Sequence, residues 1–216
     1  MASLVQDVWL GFAPRRRARR LAPWEEPRAR LLFHLDAGET LDDPAVLSFL
    51  EALSESLEVI AWEPRGQGAS DGVLGPEVID DARAMAEDGG RRFGENVVLV
   101  GGHGLGAWVA LAAASAPGVA GAVAITPSLA AAGPAAPQPS PLRLALARAL
   151  AAPATPRPAL VVEGRERPPA ERHVLAQWLE QRPDAAWLVA PGGDGTLLAP
   201  PWPALVAAWA LGIAAR

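Results

Sequence analysis

Cysteine, lysine and tyrosine are absent from all 216 residues. Without cysteine there is no disulfide, no thiolate chemistry and no thiolate metal site, and the redox compartment leaves no mark on the chain. Histidine is scarce: the 3 present lie far apart at His34, His103 and His173, so neither a metal site nor a cofactor is expected. All basic residues are arginine, which, with abundant Ala, Gly and Pro, points to a high-GC coding bias more than to function. The net charge of −5 argues against general nucleic-acid binding. No basic segment followed by an apolar core marks the N-terminus as a signal peptide, and a cytoplasmic location is expected. Residues 96–142 contain no Asp, Glu or Arg and superficially suggest a membrane span. Pro117-Gly118 divides the stretch and small residues dominate it, so a soluble helix followed by a strand fits better. The length suits one domain, residues 1–216.

What is present centres on Gly101-Gly102-His103-Gly104-Leu105-Gly106-Ala107. The apolar run Asn96-Val97-Val98-Leu99-Val100 before it predicts a buried strand, and Trp108 to Ala114 after it predicts a helix. A strand, a tight glycine turn and a helix converge where α/β proteins bind ligands. Two motifs compete for the turn. Gly102-His103-Gly104-Leu105-Gly106 fits the nucleophile elbow G-x-S-x-G except at the serine, which is Gly104. Gly102, Gly104 and Ala107 fit the dinucleotide pattern G-x-G-x-x-A. That pattern wants an acidic residue about 20 positions on, and no Asp or Glu occurs between Glu95 and Glu163. A glycine turn with no chemistry is the third reading.

In chain order, Val5 to Phe12 predicts a first strand. Arg15 to Arg20 reads as a turn and an edge strand, its arginines a solvated face that discourages strand pairing rather than a patch for an anionic partner. Ala29 to Leu35 and Leu57 to Trp62 predict strands. Between them, Pro44 to Leu57 predicts a helix capped by Asp42 or Asp43 with Pro44 in its first turn. Pro76 to Arg92 predicts a helix with Val78, Ile79, Ala82, Met85 and Ala86 on its apolar face. Strand Val119 to Ile125 precedes an Ala/Pro-rich excursion over residues 127–158 with a helical patch at Leu142 to Leu150. Then follow strand Ala159 to Val162, helix Pro169 to Gln181, strand Ala186 to Val189, a Gly192-Gly193-Asp194-Gly195 turn and helix Pro203 to Ala214. Such alternation predicts an α/β fold: a doubly wound, mostly parallel sheet with helices on both faces.

Several stretches together resemble the α/β-hydrolase family along nearly the whole chain. His34-Leu35-Asp36-Ala37-Gly38 is similar to its His-Gly oxyanion loop, with Leu35 in place of glycine. Trp62-Glu63-Pro64-Arg65-Gly66-Gln67-Gly68-Ala69-Ser70 is similar to its D-x-R-G-x-G-x-S loop. Gly102-His103-Gly104-Leu105-Gly106 is similar to G-H-S-L-G, and residues 127–158 stand where the family carries its lid, here short. The resemblance implies a serine, a histidine and an orienting acid. By position these fall on Gly104, Gly195 and Arg167, with Glu166 adjacent to the acid position. None of the three matches. His34 and His103 occupy structural positions of the family, and His173 falls in a helix.

The triad losses imply a non-catalytic protein that binds a small anionic or carbonyl ligand, or a protein partner, around Leu35, Asp36, Gly104, Leu105 and Trp108. Glycine at position 104 removes backbone strain of about 1–3 kcal/mol and leaves a helix N-terminus with the N–H groups of Leu105 and Leu35 expected free. Trp108 or the excursion filling the space is the plain alternative. The enzymatic alternative is an atypical ester or thioester hydrolase, lyase or isomerase using Asp36, Glu63, Glu166 or Asp194, with Ser128 or Thr126 as hydroxyls. Association, including a homodimer, is expected to use the excursion or the C-terminal helix, where Trp202, Leu205, Val206 and Trp209 recur at helical spacing.

Overall fold

The computed structural model describes residues 4–10, 15–92, 97–130, 140–152, 157–165, 169–191 and 197–216. Eight strands form one sheet in the order β1-β2-β4-β3-β5-β6-β7-β8. They are β1 (Leu4–Leu10), β2 (Arg16–Ala22), β3 (Ala29–His34), β4 (Glu58–Trp62), β5 (Val97–His103), β6 (Val119–Ile125), β7 (Ala159–Gly164) and β8 (Ala185–Ala190). The β1–β2 and β2–β4 pairs are antiparallel and all others parallel. The helices are α1 (Pro44–Ser54), α2 (Val78–Arg92), α3 (Leu105–Ala113), α4 (Pro141–Ala151), α5 (Pro169–Glu180) and α6 (Trp202–Ala214).

The central strands are short β-branched or leucine-rich runs buried on both faces, as parallel strands under helices must be. Alternation sorts their side chains into two cores. Leu32, Val98, Val100, Ala122, Ala124 and Val161 face the side covered by α2 to α5. Leu31, Phe33, Leu99, Val123, Leu160 and Val162 face α1 and α6. Of the two candidate caps, Asp43 takes the role, its side chain accepting from Ala45 N at 2.9 Å, and Pro44 stands in the first turn of α1 as expected. Within residues 127–158, α4 buries Leu142 and Leu146 in the same core as α3. In α6, Val206 is buried, and Trp202, Leu205 and Trp209 pack against the core beneath them. Intramolecular packing therefore accounts for the helical spacing of these large side chains.

The arginine-rich strand departs from expectation. β2 is not an edge: β1 and β4 flank it. Its arginines are drawn inward, each onto carboxylates from other elements. Arg16 bonds Asp81 of α2 at 2.6 Å. Arg17 reaches Asp42 at 2.6 Å and Glu63 at 3.3 Å. Arg19 holds Asp7 of β1 at 2.6 Å and the Leu41 carbonyl at 2.7 Å. Arg20 bonds Glu58 at 2.6 Å, and Glu58 also pairs with fully buried Arg30. A buried guanidinium needs its charge and donors matched, and acids far away in sequence do so. From Arg16 onward the run is neither a solvated face nor an open patch for an anionic partner, while Arg15 is exposed.

Strand order reverses between β3 and β5. The connection after β3 leads to α1 and the one after β5 to α3, on opposite faces of the sheet. At such a reversal the loops beyond the strand ends part and leave a crevice. Here they are the loop after His34 and the turn after His103.

Candidate functional site

Two close approaches fix the turn after β5. A β-carbon on Gly102 would collide with the backbone of Gly106, and one on Gly106 with the carbonyl of His34. Glycine at both positions lets α3 start directly against the ends of β5 and β3. Gly104 between them has φ 56° and ψ −120°, a conformation that costs a residue with a side chain about 1–3 kcal/mol. Its N–H donates to Ile125 O at 3.0 Å, and its carbonyl accepts from Ser128 N at 2.9 Å. The turn thus keeps the backbone shape of a strained elbow although no side chain is there to be presented.

The space above Gly104 is occupied. A β-carbon built on this glycine would land within the Asp36 carboxylate. Asp36, just beyond β3, places Oδ1 2.7 Å from Leu105 N and 2.8 Å from Ala37 N, accepting from both. Leu105 is the first residue of α3, whose N-cap Gly104 offers no side chain. Asp36 therefore caps the helix from 69 residues away, where the helix dipole favours an anion. Burial pushes the Asp36 carboxyl above its usual range and nearby Glu39 adds to this, against the hydrogen bonds from Leu105 and Ala37 and the neighbouring His103.

Glu39 ties the turn together. Its Oε2 accepts from Asp36 N at 2.9 Å, and its Oε1 lies 2.7 Å from His103 Nδ1. A carboxylate only accepts, so the imidazole nitrogen carries the shared hydrogen. Glu39 N donates to Asp36 O at 3.2 Å, and Gly38 N to Gln67 Oε1 at 2.9 Å.

Of the residues expected around this site, Asp36, Gly104 and Leu105 come together. The expectation of free donors at Leu105 and Leu35 is corrected: Asp36 takes the Leu105 N–H, and Leu35 N points to Trp62 O at 3.4 Å. Trp108 is 1% exposed and belongs to the core under α3. Glu63 is fully buried and committed to Arg17, Leu41 N and Ala69 N. Arg167, Gly195, Glu166 and Asp194 lie outside the described residues. His34 is buried, edge-on to Trp62 at 5.3 Å, and burial pushes its pKa down to about 4, so it stays neutral at pH 7. His173 is exposed on α5. The largely buried His103 side chain meets Glu39. Sequence reading missed Glu39, because its partner is 64 positions away and no motif joins them. Among the described residues no group of three or more His, Cys, Asp or Glu could hold a metal ion, and no helix is long and apolar enough to cross a membrane.

Solved structures show the same arrangement of strands and helices. An alpha-beta serine hydrolase homologue from Coxiella burnetii superposes with a TM-score of 0.70 at 15% identity, over 96% of each chain. This chain has the α/β-hydrolase fold. Est1E from Butyrivibrio proteoclasticus, with ferulic acid bound, matches at a TM-score of 0.77 and 13% identity over 97% of this chain and 100% of its own. The esterase of Pyrobaculum calidifontis matches at 0.74 and 17% over 100% of this chain and 86% of its own. No family model and no curated protein matches the sequence. The turn at Gly104 joins β5 to α3, with a carboxylate from the β3 loop over it.

Proposed function

We propose that this chain is a non-catalytic α/β-hydrolase-fold protein that acts by binding a ligand or a protein partner. One observation carries the reading: the Asp36 carboxylate fills the space over Gly104 and accepts the first N–H of α3. Acyl transfer at an elbow needs an oxygen nucleophile on the turn, a base to deprotonate it, and free donors for the developing oxyanion. Here the turn residue has no side chain and the donor already holds a carboxylate. The sequence adds Gly195 and Arg167 where the family pattern expects a histidine and an acid. Purified protein is expected to turn over none of a panel of activated esters and thioesters. Hydrolysis that co-elutes with the protein and survives repurification would overturn this.

A second reading, an atypical enzyme of the same fold, has one observation in its favour. His103 and Glu39 form a histidine–carboxylate pair at 2.7 Å beside the elbow, the arrangement that orients a general base. It predicts turnover with a bell-shaped pH profile that Glu39→Gln abolishes.

A further inference from the structure

We propose that β1 is a pairing edge for a second copy of this chain: two β1 strands join antiparallel about a two-fold axis at Asp7 and continue the sheet across the dimer. The inference goes beyond the non-catalytic reading and does not depend on it; ester turnover would strike that reading and leave this interface standing.

β1 stands first in the strand order, with β2 on one side and no described strand on the other. Its outer N–H and C=O groups form the rim of the sheet, and an extended strand is the partner that matches such a row. Edges are usually guarded by lysine, proline or an unpaired charge. This chain has no lysine, and β1 holds no proline. Its one charge, Asp7, is already held by Arg19 at 2.6 Å and Arg17 at 3.4 Å. Val8 and Leu10 pack against the core. Other large apolar side chains of the strand stand in the open: Leu4 and Val5 are 48% exposed and Trp9 53%. The Arg15 guanidinium lies 5.3 Å from the centre of the Trp9 ring and steadies it.

The order of residues along β1 selects the occupant. A two-fold axis through Asp7 sets Leu4 opposite Leu10 of the second copy and Val5 opposite Trp9 of the second copy, and repeats both pairs beyond the axis. Aliphatic and aromatic–β-branched pairs of this kind are the ones cross-strand neighbours favour. Every residue of the strand finds a partner, and each pair keeps to one face of the sheet. The two Asp7 carboxylates meet on the axis, but not as bare charges. In each copy Asp7 and Asp42 lie against Arg17 and Arg19, with Glu63 buried behind them. Charge is therefore matched where the copies touch. An unrelated extended peptide would meet the backbone rim without this matching. One strand pair buries less than the roughly 800 Å² per partner of a standard interface, so the dimer is expected to be weak and to dissociate on dilution.

Sedimentation velocity on a dilution series of the full-length protein should show a reversible monomer–dimer equilibrium. Val5→Lys and Trp9→Lys each put a charge opposite an apolar side chain at both ends of the paired strands. Each should raise the dissociation constant roughly tenfold or more, with an unchanged circular dichroism spectrum because both sites are exposed. Trp187→Lys on β8, the opposite edge of the sheet, should leave the equilibrium as it is. Cross-linking reads the register, since the chain has no cysteine of its own. Antiparallel neighbours bring their Cα atoms within about 5.5 Å, inside disulfide range. Two copies of position 5, or of position 9, would instead stand about 14 Å apart along the strands. Mild oxidation of the Val5→Cys and Trp9→Cys variants mixed together should therefore give a covalent dimer that neither gives alone.

A monomer at every concentration, with no mixed disulfide, would overturn the proposal. So would a dimer that both lysine variants leave intact, or one that Trp187→Lys dissolves, which places the contact on β8. Assemblies that grow beyond the dimer would mean that β1 meets β8 head to tail, again against the proposal. Disulfides within either single variant, formed as fast as in the mixture, would refute the axis at Asp7. Should a lysine variant fail to fold, the cysteine pair decides.

Discussion

Placing a serine at Gly104 is the most informative perturbation of the turn. Gly104→Ser meets two separate costs. The backbone at φ 56° and ψ −120° disfavours a β-carbon by about 1–3 kcal/mol. The new side chain must also evict the Asp36 carboxylate, whose place it would share. Eviction breaks two hydrogen bonds to a carboxylate, each contributing about 1.5–3 kcal/mol. Release from burial offsets part of that loss, because burial raises the Asp36 pKa and so works against the ionised form. A net eviction cost of about 1–3 kcal/mol follows, and a total destabilisation of about 2–6 kcal/mol. For a chain of this size that lowers the melting temperature by about 2–4 °C per kcal/mol. The two costs separate in a double-mutant cycle. Asp36→Ala removes the group being evicted, so adding Gly104→Ser to it should cost only the backbone part, with a coupling of about 1–3 kcal/mol. Neither serine variant should hydrolyse esters, since a hydroxyl without a base is a poor nucleophile at neutral pH. Thermal and urea melts on the four proteins measure the cycle. Strict additivity, or a Gly104→Ser variant as stable as the parent and active on esters, would refute the reasoning.

Other outcomes follow from the same contacts. Asp36→Asn keeps an acceptor for Leu105 N and Ala37 N, so its stability at pH 7 should equal or exceed the parent's. Because burial raises the Asp36 pKa in the folded state, the stability this group contributes is full below its ordinary 3.8 and is lost as pH rises through the folded value; melts across pH 3 to 7 should show that decline in the parent and not in Asp36→Asn. Burial pushes the Asp81 carboxyl up, but the hydrogen bonds and charges of Arg65 and Arg16 outweigh it and hold it below its usual range. Its contribution is therefore present above the ordinary value and lost as pH falls through the folded one, and Asp81→Ala should cost about 2–4 kcal/mol in chemical melts by leaving the inward-drawn Arg16 without its carboxylate. Trp209→Glu should destabilise by about 2–4 kcal/mol, because the ring packs on the sheet; light scattering that instead shows a stable, folded protein of lower mass would make α6 an interface.

Much of the fold was legible because it rests on local rules. Mostly apolar runs of four to seven residues mark the central strands, helical spacing marks α1, α2 and α6, and Pro44 after two adjacent acids marks the start of α1. The glycines of the elbow were legible for the same reason, since steric need at a strand–helix turn acts over five residues. What escaped depends on meetings across the chain. The arginines of β2 looked like a solvent face because their carboxylates are Asp7, Asp42, Asp81 and Glu58, and nothing local tells a paired charge from a free one. Asp36 was placed near the site from its loop, but its seat over Gly104 follows from a vacancy 68 positions later that only the fold brings opposite. Glu39 and His103 meet for the same reason. Sequence spacing alone left the N–H of Leu105 free, because it cannot show that another loop reaches it first.

Whether a nucleophile works at the Gly104 turn is read out by intact-mass spectrometry after prolonged exposure to a fluorophosphonate probe. An elbow serine hydrolase would take up one probe molecule per chain at a single position. An unmodified mass is expected for the parent, and again for Gly104→Ser, since the family pattern finds Gly195 rather than a histidine at the base position. One-to-one modification of the parent, mapped by peptide sequencing to a residue beside the Gly104 turn and blocked by heat denaturation, would contradict it.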